Sequence, residues 1–135
     1  MKRDNLPWRG VQPATLYWND AGVPVSETFD DVYYSQENGL EESRHVFLKG
    51  NDLSKRWHNH PRRHFCIGEL GFGTGLNFLL TWQAWRELPE SRPDLHYFSI
   101  EKHPLTHADL AAALDAWPTL ALLAKPLLHA YPGLL

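Results

Sequence analysis

A chain of 135 residues is one domain at most, since domains usually hold about 100–200 residues. An apolar content of 43%, with six Trp, five Tyr and six Phe, excludes a disordered chain, and a single cysteine excludes an internal disulfide and a cysteine-built zinc cage. Thirteen Lys and Arg against sixteen Asp and Glu give a formal net charge of −3, so the overall balance carries no nucleic-acid signature and leaves room only for a local basic patch.

Residues 1–13 carry Lys2, Arg3, Arg9, Pro7 and Pro13 and read as an irregular arm. "ATLYWNDAGVPVSETFDDVYYS" predicts two short strands around a hairpin turn at Asn19-Asp20-Ala21-Gly22. Asn38-Gly39 opens a predicted helix with Leu40, Phe47 and Leu48 on one face, and Gly50-Asn51 stops it. A helical turn over 53–57 leads into the basic loop "HNHPRRH". From His64 the pattern changes to a buried strand, "HFCIGEL", that runs into glycines. A helix over 76–88 closed by Pro89 follows, then a second strand over 95–102. A second helix has Pro104 suited to its first turn. The last apolar helical stretch is interrupted by Pro126. The expected organisation is a hairpin-and-helix segment, 1–63, followed by the first βαβα of a parallel sheet, 64–135. No apolar run approaches the ~18 residues of a membrane span, and Met1 opens no signal-peptide pattern, so a cytoplasmic protein without a membrane partner is expected.

A strand, then glycines, then a helix is the ligand turn of doubly wound folds. The dinucleotide fingerprint needs Gly-x-Gly-x-x-Gly or Ala. Here Gly71 and Gly73 are followed by Leu76 at the third position, and the remaining glycine falls at Gly75. No Gly-Lys-Ser/Thr follows, which excludes a Walker loop. What remains is an acid followed by Gly-x-Gly-x-Gly, Glu69-Leu70-Gly71-Phe72-Gly73-Thr74-Gly75. A second acid, Glu101, stands at the end of the next strand, where it can accept from both hydroxyls of a ribose. The plainer reading is an ordinary turn between two surface acids.

The glycine pattern resembles motif I of class I S-adenosylmethionine-dependent methyltransferases. "DDVYYSQENGLEESRHVFLKGN" (30–51), "GELGFGTGLNFLLTWQAW" (68–85) and "YFSIEKHPLTHADLAAALDAWP" (97–118) resemble, more narrowly, the methyltransferase domain of the bacterial bifunctional tRNA 5-methylaminomethyl-2-thiouridine biosynthesis proteins. The resemblance runs from about Pro13 to the end. It implies a Rossmann-like α/β fold, present here in part, and N-methylation of 5-aminomethyl-uridine at the tRNA wobble position. It implies S-adenosylmethionine as cofactor and tRNA as partner. A flavin-dependent oxidoreductase domain, fused or separate, would make the aminomethyl intermediate and would hold the FAD. The cofactor site would comprise Glu69, Gly71, Phe72, Gly73, Thr74, Gly75, Leu76, Asn77 and Phe78, with Glu101 on the ribose and Lys102 and His103 near the adenine. Asp31, Tyr33, Tyr34, Ser35 and Asn38 would close over it and face the target base, or, on the plainer reading, pack in a core and cap a helix. The family's domain continues for about a hundred residues more. The catalytic acid implied beside the target amine would lie beyond Leu135, so no residue of this sequence is assigned that role. An N-terminal portion, inactive alone, is therefore expected. The alternatives are a non-catalytic piece that assembles with a partner chain and a nucleotide-binding oxidoreductase half-domain.

Lys55, Arg56, Arg62 and Arg63, interleaved with histidines, read as a tRNA phosphate contact or as a solvated loop before a buried strand. His58, His60 and His64 lack an acid or cysteine at ligand spacing, so no metal site is expected. Cys66 reads as core, and Trp82 and Trp85 as packing residues.

Overall fold

The computed structural model describes residues 10–35 and 38–131. Most of the irregular arm, residues 1–9, lies outside them. So do the final residues 132–135, among them Leu135, and the catalytic acid expected beyond Leu135.

The predicted hairpin is present. Strands β1 (Leu16–Trp18) and β2 (Pro24–Ser26) pair antiparallel around a turn whose Gly22 takes φ +76°. The Asn19 side chain accepts from Ala21 N and Val23 N and holds the turn closed. A third strand that the sequence reading does not separate, β3 (Asp31–Val32), joins β2. Helix α1 (Gly39–Ser43) opens after Asn38, whose carbonyl accepts from Glu42 N while its side chain makes no capping bond. It continues as a π turn over Arg44–Lys49 and ends at Gly50. Helix α2 (Leu53–His58) then leads to the sheet.

Strand β4 (His64–Leu70), helix α3 (Leu76–Arg86) and strand β5 (Asp94–Ile100) form one parallel βαβ unit, registered from His64 opposite Asp94 to Leu70 opposite Ile100. The reading of Cys66 as a core residue needs correction. Phe65, Ile67 and Glu69 are buried and the alternate residues are not, so Cys66 is exposed rather than core. The period-2 geometry of a strand puts Cys66 on the face that no described helix covers.

Helix α4 (His107–Leu114) starts three residues beyond Pro104. Thr106 is its N-cap, accepting from Asp109 N at 3.2 Å, and a hydroxyl cap fixes the start better than the proline does. A 3₁₀ turn over Pro118–Leu120 precedes α5 (Ala121–Ala130). Pro126 sits inside α5 without breaking it, against expectation. The carbonyl it leaves unpaired belongs to Leu122, which is 85% exposed and so open to water.

Two apolar clusters hold these pieces together, and both draw on either side of residue 63. In one, Val23 and Tyr34 join Leu79, Leu80, Leu110, Leu114 and Leu120 between the hairpin segment and α3–α5. In the other, Leu53 and Trp57 of α2 pack on Phe65 and Ile67 of β4, flanked by Trp85. Trp82 and Trp85 are packing residues as expected, the latter donating its indole N–H to Pro93 O at 2.8 Å. Leu110 is fully buried. Leu110→Ala is expected to lower stability by about 2–5 kcal/mol in a urea titration.

Candidate functional site

The site is built at the carboxyl ends of β4 and β5. The Gly71 N–H donates to Ile100 O at 2.8 Å, extending the parallel ladder by one bond beyond the strands. Gly71, Gly73 and Gly75 all take positive φ, +85°, +55° and +74°, a conformation in which an L side chain costs about 1–2 kcal/mol. Gly75 then caps α3, its N–H donating to Phe72 O and its carbonyl accepting from Leu79 N. A Cβ on Gly75 would also come within 2.8 Å of the Phe72 ring.

Two carboxylates meet this loop from neighbouring strands. Glu101 Oε2 accepts from Gly73 N at 3.0 Å and Oε1 from His103 N at 2.9 Å. Glu69 is buried on the inner face, where Oε2 accepts from Asn77 Nδ2 at 3.1 Å and Oε1 from the Ser99 hydroxyl at 3.0 Å. Burial raises the Glu69 pKa above the ordinary carboxyl value. The hydrogen bonds oppose the rise, and Glu101 adds to it. Beside Glu69, the buried Tyr97 hydroxyl has no hydrogen-bond partner at bonding distance, and its pKa is pushed up by burial and by that carboxylate. All three glycine amides are therefore engaged within the chain, and one of them already faces a carboxylate.

Around this centre lie three concavities. One of about 410 Å³ is lined by Phe72, Phe78, Tyr97, Ser99, Glu101 and Tyr131, among others. Phe72 stacks on Tyr131 with centroids 6.2 Å apart, and the Tyr131 hydroxyl donates to Leu105 O. A second, of about 240 Å³, places Asp31, Tyr33, Glu101 and His103 around one cleft, with Phe29 at 6.0 Å from the His103 ring. A third, of about 360 Å³, joins Tyr33, Tyr34, Ser35 and Asn77.

Of the residues singled out in the sequence, Glu69, the loop from Gly71 to Gly75, Asn77, Phe78 and Glu101 converge. Thr74 and Leu76 are buried beneath the turn. Asp31 and Ser35 reach adjoining clefts. Tyr34 turns its ring into the core, 5.0 Å from Trp117, whereas Tyr33 lies beside Gly73 and has its pKa raised by burial and by Glu101. Asn38 stays at the start of α1, and Lys102 is exposed in the loop after β5. The sequence reading misses Ser99 and Tyr97. Their signal lies in "YFSIEK", where Ser99 alternates in phase with Glu101. The converging residues line one end of the sheet, and none of them is assigned to a chemical step.

The basic loop lies at the other end of β4, about 20 Å from the glycine turn by the rise of seven strand residues. There His60 donates to His64 O, Arg63 lies 3.5 Å from Asp94, and Arg56 sits over the Phe65 ring. Among the described residues no three His, Cys, Asp or Glu side chains converge as a metal site would require, and no helix is long and apolar enough to cross a membrane.

No family model matches the chain. A protein of Aliivibrio fischeri, the tRNA 5-methylaminomethyl-2-thiouridine biosynthesis bifunctional protein MnmC, is 51% identical over 133 residues, 95% of this chain. The Vibrio cholerae protein of the same name is 54% identical over 127 residues. This chain is similar to one fifth of that bifunctional protein. It spans 20% of the first relative's length and 19% of the second's. A solved structure, MNMC2 from Aquifex aeolicus, superposes with a TM-score of 0.52 at 22% identity, over 72% of this chain and 32% of that one. The fold is thus the expected Rossmann-like α/β arrangement, in part.

Gly75→Ala places a side chain at φ +74° and against Phe72. It is expected to cost about 2 kcal/mol in thermal or urea unfolding. A second prediction concerns Glu69. Because its folded pKa is raised, its stability contribution is greatest below the ordinary carboxyl pKa and is lost as pH rises through the folded value. Glu69→Gln is therefore expected to be more stable than the parent at pH 7, with the gain vanishing as pH falls below the ordinary carboxyl pKa. Urea midpoints measured across that range check it.

Proposed function

We propose that this chain carries the cofactor-binding part of an S-adenosylmethionine-dependent methyltransferase that modifies the wobble uridine of tRNA. The observation that supports it best is the Glu101 carboxylate on the Gly73 N–H. A pyrophosphate would need that amide, and would have to approach two carboxylates to reach it. A ligand with a cationic sulfonium and ammonium and a neutral ribose meets the opposite situation. Glu69 supplies the negative field, and the free lone pairs of Glu101 accept from the ribose hydroxyls. This reasoning disfavours the oxidoreductase half-domain.

The relatives are named for biosynthesis of 5-methylaminomethyl-2-thiouridine in tRNA, and N-methylation of an aminomethyl group is the step that a methyltransferase would contribute. S-adenosylmethionine, when bound, would supply an electrophilic methyl group for a neutral amine to accept, with loss of the sulfonium charge and of one amine proton. The chain's own part would be to bind and orient. The glycine turn, Phe72, Thr74, Leu76, Asn77 and Phe78 would hold the methionine and nucleoside edge, and Ser99 and Asn77 would fix the Glu69 carboxylate. Lys102 and His103 would border the base, while Asp31, Tyr33, Ser35 and Asn38 would form the side facing the tRNA. A flavin-dependent oxidoreductase domain is the proposed partner activity, and a bacterial cytoplasm the proposed setting.

Titration with S-adenosylhomocysteine is expected to raise the melting temperature, NAD to leave it unchanged, and Glu101→Ala to abolish the ligand's effect. Stabilisation by NAD alone would overturn the proposal. Affinity is also expected to weaken as pH falls through the raised pKa of Glu69, because the site loses negative charge as that carboxylate protonates. Calorimetric titrations at pH 5 and pH 7.5 measure it.

A further inference from the structure

Phe29 has no part in the function proposed above, yet it stands 67% exposed at the cleft of about 240 Å³ that holds Asp31, Glu101 and His103. A lone exposed apolar side chain needs no explanation, but this one is held in place. The hydroxyl of the buried Ser26 accepts from Phe29 N at 3.2 Å. The next residue, Asp30, takes φ +48°, a left-handed conformation uncommon outside glycine, and its carboxylate accepts from the Tyr17 hydroxyl at 3.3 Å. The turn between β2 and β3 is thus pinned on both sides of Phe29. Strained backbone of this kind collects where a side chain is presented for use. The ring meets that of His103 at 6.0 Å, tilted by 54° rather than stacked, so most of it stays open.

The cleft is separate from the cavity beside the glycine turn. That larger cavity, about 410 Å³, takes walls from Phe72 and Phe78, whereas no residue of the turn lines the smaller one. Glu101 borders both. Two cavities that meet at one side chain suit a group transfer between two bound molecules, with the donor beside the glycine turn and the acceptor in the smaller cleft. Its polar groups match the edge of a nucleobase. Asp31 can accept from a ring N–H, and the hydroxyls of Thr15 and Thr28 can donate to carbonyl oxygens. Asp31 and Glu101 together repel a phosphate.

We propose that this cleft receives the methyl-accepting base of the RNA, stacked on the Phe29 ring with its N–H on Asp31. Unpaired bases are commonly held in this way, by an aromatic face and hydrogen bonds to their edges. Phe29 would position the base and take no part in the chemical step. Only the base's identity as the methyl acceptor rests on the methyltransferase reading.

The 135-residue chain and a fluorescein-labelled uridine hexamer test it, with binding read by fluorescence anisotropy. Phe29→Ala is expected to weaken binding about tenfold and Phe29→Tyr to retain it. A hexamer of 3-methyluridine, which lacks the ring N–H, is expected to bind the parent chain about tenfold more weakly than uridine does. The melting-temperature rise given by S-adenosylhomocysteine is expected to be the same in Phe29→Ala as in the parent. Equal hexamer binding by Phe29→Ala and the parent would overturn the proposal, as would a parent chain that does not bind the hexamer at millimolar concentration. Loss of the S-adenosylhomocysteine effect in Phe29→Ala would overturn it too, by assigning the ring to the cofactor's adenine. Should S-adenosylhomocysteine stabilise neither protein, the methyltransferase reading falls, and the two hexamers still decide whether the cleft takes a base.

Discussion

The hydrogen bond from the Gly73 N–H to the Glu101 carboxylate is the contact on which the site depends. It ties the end of β5 to the turn after β4 and so fixes the glycine loop against the second strand. It also occupies an amide that an anionic ligand would otherwise take. Glu69, held by Asn77 and Ser99 one strand away, adds a second negative group to the same end of the sheet. Loop shape alone would suit several nucleotides. In the proposed function, the charge inside it is what selects among them.

That arrangement carries a cost that the surrounding structure absorbs. A carboxylate buried as deeply as Glu69 is disfavoured in its charged form, and two hydrogen bonds offset the penalty only in part. Three consecutive alternate residues in left-handed backbone would add strain in any sequence but one built on glycine. Stability is drawn instead from the apolar clusters on the inner side, where fully buried leucines of α3, α4 and the 3₁₀ turn meet the hairpin segment. The outer side contributes little, since Leu70, Phe98 and Ile100 lie against solvent. The fold is therefore lopsided, with one face of its sheet packed and the other bare.

Much of this is legible in the residues. The hairpin follows from Asn19 to Gly22, and the βαβ order from an apolar run, glycines and helical spacing. The proposed ligand class rests on the third glycine standing at 75 rather than 76. Features set by tertiary geometry are not legible in the same way. The choice of Tyr33 over Tyr34 as the neighbour of Gly73 depends on how β3 leaves its sheet. The exposure of Cys66 depends on which strand face the helices cover, and alternation alone does not say. Pro126 looks like a break in the sequence, yet its cost depends on whether the orphaned carbonyl can reach water. Ser99 means little without a partner, and the parallel register supplies one by setting it opposite Glu69.

The central claim, that the loop is charged for a cationic nucleoside and closed to a pyrophosphate, is tested most directly at the glycine amides themselves. Residue-resolved amide NMR during titration with S-adenosylhomocysteine, and separately with NAD, reads them one by one. The account predicts that S-adenosylhomocysteine shifts the resonances of Gly71 to Asn77, that the Gly73 amide remains protected from exchange on Glu101, and that NAD moves none of them. A Gly73 amide that shifts with NAD and gives up its bond to Glu101 would contradict it.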